Sequence, residues 1–255
     1  MSNKSKSVST ATRDRREGEE DGKTYHFIDM EELQKRKSEG KLLQYIEFAG
    51  NAYAYEKSEF LNVDEIVVLM GGSGTGKDTV VDEIILNDSY EFAGEKVKFV
   101  ISVPSSALVF DEYIKSVDGK STMIYLEVDE PERLRRIISG EASKKIKSKL
   151  GEDYEVEVTV NKQLEVSISA LSTTKEPILY LENNEEIKLM ISESIERIKR
   201  DGDKFQVELD ELTNTGNTVK IINVTTKTVP ETANMIVKST FETTQDKNTT
   251  KIQGK

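Results

Sequence analysis

The chain has 255 residues, enough for one α/β domain with insertions or for two small domains. A formal net charge of -11 excludes a general nucleic-acid binder, which needs a basic face to displace counterions, although a local arginine cluster can still command one cleft. Zero cysteines exclude disulfides and thiolate metal sites, and no apolar run approaches the roughly 20 residues of a membrane span, so a cytoplasmic protein without a membrane partner is expected. In chain order, "MSNKSKSVS" lacks the apolar core of a secretory signal. "SVSTAT" (7–12) is strand-like and leads into "RDRREGEEDGK", a charged loop punctuated by glycine. "DMEELQKRKSEG" (29–40) predicts a helix with Asp29 as N-cap and Gly40 as its stop. "LLQYIEFAGNAYAYEKS" alternates apolar and polar residues, as a half-buried strand or hairpin does.

"EIVVLM" (65–70) is a continuous β-branched run, the pattern of a parallel strand covered on both faces. Val80, Val81, Ile84 and Ile85 then recur at helical spacing. "KVKFVISV" (96–103) and "STMIYLEV" (121–128) are further strands, with "SALVFDEYIKS" helical between them, and "PERLRRII" (131–138) opens a helix with proline in its first turn. This strand–helix alternation predicts a parallel sheet with crossover helices. Beyond residue 139 the pattern changes. Tyr154, Val156, Val158 and Val160, then Leu164, Val166, Ile168 and Ala170, read as a β-hairpin with one wet face. "SESIERIKRD" (192–201) is helical, "TVKIINV" (218–224) a last strand and "PETANMIVKS" a last helix, before a polar tail.

The chemistry concentrates in two places. Gly71, Gly72, Ser73, Gly74, Thr75, Gly76 and Lys77 complete the pattern G-x-x-x-x-G-K between a buried strand and an amphipathic helix. Glycines let successive backbone N–H groups turn toward one anion, the helix adds its positive end, and Lys77 reaches the outer phosphates of a nucleoside triphosphate. A Ser or Thr hydroxyl for Mg²⁺ normally follows; here Asp78 and Thr79 stand there, and a carboxylate also ligates Mg²⁺. The alternative is a glycine-rich turn that merely contains a lysine. In the second place, Arg13 and Arg16 can converge on one phosphate dianion through forked hydrogen bonds, with a hydroxyl from Tyr25. The bland alternative is a solvated charged loop. His26, the single histidine, reads as a packed or surface side chain, and "KKIKSK" (144–149) as a solvated helix face.

Together these segments resemble the guanylate kinases, whose acceptor motif runs S-x-T-T-R-x-x-R-x-G-E-x-D-G-x-x-Y-x-F. Ser9, Thr12, Arg13, Arg16, Gly18, Glu19, Asp21, Gly22, Tyr25 and Phe27 occupy it, with Ala11 for one threonine and Arg15 for the proline usual before the second arginine. Gly50, Asn51 and Tyr53 are similar to the family's G-N-x-Y, and Asn223 to the asparagine of its last strand. The resemblance implies ATP-dependent phosphorylation of GMP or dGMP, with ATP and Mg²⁺ as cofactors and the residues from Gly71 to Thr79 holding ATP. Asp78 and Thr79 would meet the metal. Ser9, Arg13, Arg16, Glu19, Tyr25, Gln44 and Tyr53 would hold the acceptor, and Lys77, Arg13, Arg16, Arg136 and Arg197 would act on the transferring group.

Its fold implies an α/β, three-layer P-loop architecture: a parallel sheet flanked by helices, a small acceptor-binding subdomain, and a lid carrying a β-hairpin insertion. The expected divisions are 1–60, acceptor subdomain and leading strand; 61–138, core; 139–204, lid; 205–240, last strand and helix; 241–255, flexible tail. Three departures stand out. Gln44 replaces the carboxylate that reads guanine, with Glu47 nearby as a substitute; "FVISV" lacks the family's acid; and Gly140 and Glu141 fall where a lid arginine is expected. The acceptor block also precedes the P-loop block, the reverse of the family order, and the buried strands lead us to expect the sheet to survive this exchange. Two other functions stay open: a non-catalytic guanylate kinase-like module, or a rearranged or designed relative that binds nucleotide with little turnover. Monomer and homodimer are equally compatible with the sequence.

Overall fold

Every residue of the run Glu65–Met70 is buried, and alternate side chains feed opposite cores. In this computed structural model, residues 4–16, 18–48, 50–92, 96–101, 120–151, 153–172, 178–179, 184–214 and 219–241 are described. The strands are β1 (Lys4–Lys6), β2 (Thr10–Ala11), β3 (His26–Phe27), β4 (Leu42–Phe48), β5 (Asn51–Glu56), β6 (Glu65–Met70), β7 (Val97–Ile101), β8 (Lys120–Glu127), β9 (Tyr154–Val160), β10 (Val166–Ser172), β11 (Ile178–Leu179) and β12 (Val219–Asn223). The helices are α1 (Met30–Ser38), α2 (Lys77–Leu86), α3 (Glu130–Leu150), α4 (Glu185–Asn214) and α5 (Val229–Phe241). The expected helix at "SALVFDEYIKS" and the polar tail lie outside the described residues.

The central sheet has the order β1-β7-β6-β8-β12, and all its pairs are parallel. On one face Val67 and Leu69 pack with Val81 and Ile84 of α2 and with Ala233 and Ile236 of α5. On the other, Ile66, Val68 and Met70 pack with Phe60 and with Phe205 and Leu212 of α4. Each such side chain contributes about 1.5–3 kcal/mol when fully buried, which explains a strand with no polar face. The protein is thus mixed α/β, a parallel sheet flanked by helices.

Parallel pairing has a consequence for the two segments expected to bind phosphate. β1 and β6 point the same way and flank β7, so the chain leaves both at one end of the sheet. Two strand spacings separate them, about 10 Å. Lys4 anchors the N-terminal strand, its Nζ donating to the carbonyls of Asn87 (2.9 Å) and Tyr90 (2.8 Å) just past the end of α2. The single strand expected at 7–12 is instead divided. The Ser7 N–H still reaches Phe99 O at 2.8 Å, Val8 N–H turns to Glu59, and Thr10–Ala11 joins a second sheet of order β3-β2-β5-β4. One strand cannot pair in two sheets, so the segment crosses between them. Leu33 of α1 packs on Ala52 and Ala54 of that second sheet.

The segment expected to form a lid is one hydrophobic unit. β9 and β10 pair antiparallel and bury Tyr154, Val158, Ile168 and Ala170 against α3 and α4. α3 runs well past the expected "PERLRRII", because Leu134, Ile138, Ala142 and Ile146, four apart, are all fully buried. Gly140 sits in open space on that helix and does not interrupt it. Asp29 caps α1 as expected, its carboxylate accepting from Glu32 N–H at 2.7 Å.

Candidate active site at the ends of the parallel strands

The loop from Gly71 to Gly76 joins β6 to α2 at the sheet's C-terminal edge. Gly71, Gly74 and Gly76 have φ of 137°, 81° and 86°, a region L-residues rarely adopt. Space excludes side chains as well: a Cβ on Gly71 would lie 2.7 Å from Leu126 O, and one on Gly74 2.8 Å from Arg133 O. Lys77 folds back over the loop, its Nζ donating to the carbonyls of Gly71 (2.5 Å) and Gly72 (3.1 Å) and to Thr75 Oγ1 (3.3 Å). Burial pulls its pKa down to about 8, against the opposing pull of Asp78 and Asp201. A cavity of about 1010 Å³ opens over the loop, walled by its residues, by Glu132, Arg135 and Arg136 of α3, by Asp201 and Phe205 of α4, and by residues 224–229. Gly71 and the residues from Ser73 to Thr79 line it. Gly72, assigned to the same role from sequence, does not: it lies against the guanidinium of Arg133, where any Cβ would meet Nη2 at 2.1 Å.

Three side chains at this loop were not singled out from the sequence. Arg133 is 6% exposed and donates through Nε to Ser73 O at 3.1 Å, while its Nη2 is buried without a hydrogen-bond partner. Asp201 Oδ2 accepts from both Ser73 N–H (3.0 Å) and Ser73 Oγ (2.7 Å). Lys6, on β1, donates to Asp78 Oδ1 at 2.7 Å and lies 3.7 Å from Asp82. Only the helical position of Asp201 beside Gly202 left a trace in the sequence. The other two depend on long-range pairing of elements.

The acceptor residues gather separately. Arg13 Nη2 and Nη1 meet Glu19 Oε1 (2.5 Å) and Oε2 (2.7 Å) in a bidentate pair, and the same guanidinium lies over the rings of Tyr25 (5.0 Å) and Phe27 (5.5 Å). Tyr53 hydrogen-bonds to Arg13, and its ring stands 6.1 Å from that of Tyr25. Arg13 lowers the Glu19 pKa to about 2, and Glu19 raises that of Arg13, so the pair stays ionised across the working range. Arg16 is exposed, and its backbone N–H donates to Glu19 Oε2 at 2.8 Å. Burial pushes the Tyr55 phenol up to about 12, against the smaller opposing pull of Ser7 and Ser9. Tyr55 donates to Ile101 O at 3.2 Å, joining β5 of the second sheet to the end of β7.

The remaining sequence candidates take varied places. Arg136 lines the cavity but is committed to Glu132 and to the carbonyls of Val224 and Thr225, so it fixes the loop after β12. Arg197 pairs with Glu141 at 3.2 Å, joining α4 to α3 within the lid. Gln44, on β4, stands opposite Tyr55 of β5. Glu47 accepts from the Tyr45 hydroxyl at 2.5 Å, and Gln34 donates to that hydroxyl at 2.7 Å. Asn223 bonds Glu127 and accepts from Thr225 N–H, capping the end of β12. His26 is a part-exposed side chain 3.5 Å from Glu59. Lys145 and Lys149 are not merely solvated; both pair with Glu186 of α4.

The donor set fits the groups the resemblance implies. Left-handed glycines, a helix N-terminus and a half-buried lysine suit an oligophosphate. Asp78 is 70% exposed on the cavity wall and available to a cation, although Lys6 already holds one of its oxygens. Among the described residues no group of three or more His, Asp or Glu side chains is placed to hold a metal, so Mg²⁺ would enter with its nucleotide.

Comparison with known proteins agrees with the acceptor cluster. The guanylate kinase family model matches residues 1–66, the segment that contains the Arg13–Glu19 pair and Tyr53. Guanylate kinase from Synechococcus sp. is 41% identical over 66 residues, 25% of this chain and 36% of that protein. Guanylate kinase from Frankia casuarinae is 29% identical over 117 residues, 46% of this chain and 57% of that protein. The chain thus spans between about a third and just over half of these two guanylate kinases. A crystal structure of guanylate kinase from Anaplasma phagocytophilum superposes with a TM-score of 0.43 at 17% identity, covering 96% of this chain and 78% of that one. Among the described residues, no helix is long and apolar enough to cross a membrane.

Proposed function

We propose that the chain transfers a phosphoryl group from ATP to a nucleoside monophosphate, GMP or dGMP first among them. The observation that supports this reading is the parallel alignment of β1 and β6, from whose ends the chain runs on toward the arginine segment and into the glycine loop. On this reading the blocks have exchanged order relative to guanylate kinases while their strands keep a shared exit. ATP would lie in the cavity, its phosphates on the N–H groups from Ser73 to Lys77. Lys77 would release the loop carbonyls and turn to the outer phosphates. Arg13 and Tyr25 would hold the acceptor phosphate, with Arg16 supplying a second fork. Mg²⁺, held by Asp78 and Thr79, neutralises charge on phosphate oxygens when bound.

Transfer between two phosphates asks little covalent work of the protein. The residues must align donor and acceptor in line, exclude water and offset charge, and the acceptor oxygen is already ionised, so no general base is required. Arg136 braces the nucleotide-facing loop after β12, and Arg197 braces the lid. Both are positioning residues in the empty protein.

Base choice rests on Gln44. A glutamine offers one acceptor and one NH₂ group, where a carboxylate accepts from guanine N1–H and the exocyclic amine together. Preference for guanine over adenine should therefore be shallow, and Gln44→Glu should deepen it by about tenfold, as one added charge-assisted hydrogen bond would. The test is ADP formation from ATP with GMP, dGMP, AMP and CMP in turn. We expect turnover with a purine monophosphate and its loss in Lys77→Ala. Folded protein that forms no ADP with any of them would end the enzymatic reading.

A further inference from the structure

The two hydrogen bonds from Ser73 to Asp201 put a carboxylate on the phosphate-binding loop itself. One oxygen, Oδ2, takes both the loop N–H and the hydroxyl. An anion held by paired donors at a glycine loop is what the loop is built to receive, and here the anion belongs to the protein. Asp201 also lines the cavity and acts electrostatically on Lys77, supplying part of the negative charge that a phosphate would bring.

A second observation is independent of the first. Asp201 lies in α4, a 30-residue helix that buries Met190 and Ile198 in the lid core and Phe205 and Leu212 in the sheet core. Between those anchors, directly after Asp201, stands Gly202. A Cβ there would meet nothing within 4 Å, so neither packing nor backbone conformation requires glycine. Its consequence is mechanical: glycine in a helix interior weakens the helix by about 1 kcal/mol relative to alanine and lets it bend.

Resting on the reading of residues 71–77 as a phosphate loop, we propose that Asp201 is a built-in anion that latches α4 to the empty loop, and that an incoming nucleoside triphosphate displaces it as α4 bends at Gly202. The Ser73 donors cannot serve the carboxylate and a phosphate at full strength together, and two anions at that spacing repel. Nucleotide entry is thereby coupled to movement of the lid, because the helix that loses the latch carries the lid core.

The experiment is a calorimetric titration of the full chain with ATP, and separately with inorganic pyrophosphate, for wild type, Asp201→Asn and Gly202→Ala. Asparagine keeps the shape and one acceptor but removes the charge, so Asp201→Asn should bind both ligands about tenfold more tightly, the value of one charge-assisted hydrogen bond no longer in competition. Gly202→Ala stiffens the helix and should weaken ATP binding by about threefold or more. If wild type binds ATP and Asp201→Asn binds it equally or more weakly, the latch is overturned while the loop reading stands. If neither protein binds ATP or pyrophosphate, the loop reading fails and the latch falls with it.

Discussion

Lys77 gives the sharpest prediction at the scale of single residues. Burial holds its pKa near 8, well below the ordinary lysine value. A bound phosphate favours the ammonium and so raises that pKa. Affinity for ATP should therefore be full below pH 8 and fall as pH rises above it, by up to about tenfold per unit, until the bound-state pKa is reached. Titration from pH 6.5 to 9.5 checks this, and the same falling limb should vanish in Lys77→Arg. Arg13 gives a second. Its fork is already set by Glu19, and lysine cannot reproduce a bidentate grip, so Arg13→Lys should raise the KM for the monophosphate about tenfold or more while leaving ATP affinity unchanged. The signal in the sequence was enough to find Arg13, Glu19 and Tyr25, because they lie within one local motif. Arg133, Lys6 and Asp201 escaped it: each meets the glycine loop from an element distant in sequence, and each is an ordinary charged residue in its own helix or strand.

For single elements, local rules performed well where the pattern was complete. Asp29 supplied a cap, "IVVLM" an apolar strand run, and Tyr154–Val160 with Val166–Ser172 a hairpin, and each forms as its pattern says. Asp29→Ala should cost about 1 kcal/mol of stability, readable as a lower urea midpoint with an unchanged slope. The failures occurred where packing overrides a local signal. The pattern "PERLRRII" marked only the start of α3, and the buried stripe from Leu134 to Ile146 carries the helix on past it. Conversely, "SVSTAT" suggested one strand, and competition between two sheets divides it. Ile138→Ala should remove a fully buried side chain of the lid core and cost about 2–5 kcal/mol, measured by thermal unfolding.

Across the whole molecule, order along the chain and position in space prove separable. Sequence comparison reads along the chain and reaches only residues 1–66 with the family model. The sheet instead reads across strands, and there β1 lies beside β7, which lies beside β6, all parallel. No local pattern could have revealed that neighbour order, since parallel pairing is fixed by packing among distant segments. On the proposed reading, strand ends about 10 Å apart would let the two segments address one transfer reaction without a conventional linear order. Tyr55, on β5 of the second sheet, donates to Ile101 O of β7 and so ties the two sheets together.

The most direct test of that shared cleft is the affinity of a bisubstrate ligand, adenosine and guanosine joined through five phosphates. If one gap serves both grips, it should bind at least about 100-fold more tightly than ATP, since the second contact becomes intramolecular, and both Lys77→Ala and Arg13→Ala should abolish the gain. Binding no tighter than ATP, and indifferent to Arg13→Ala, would contradict the account.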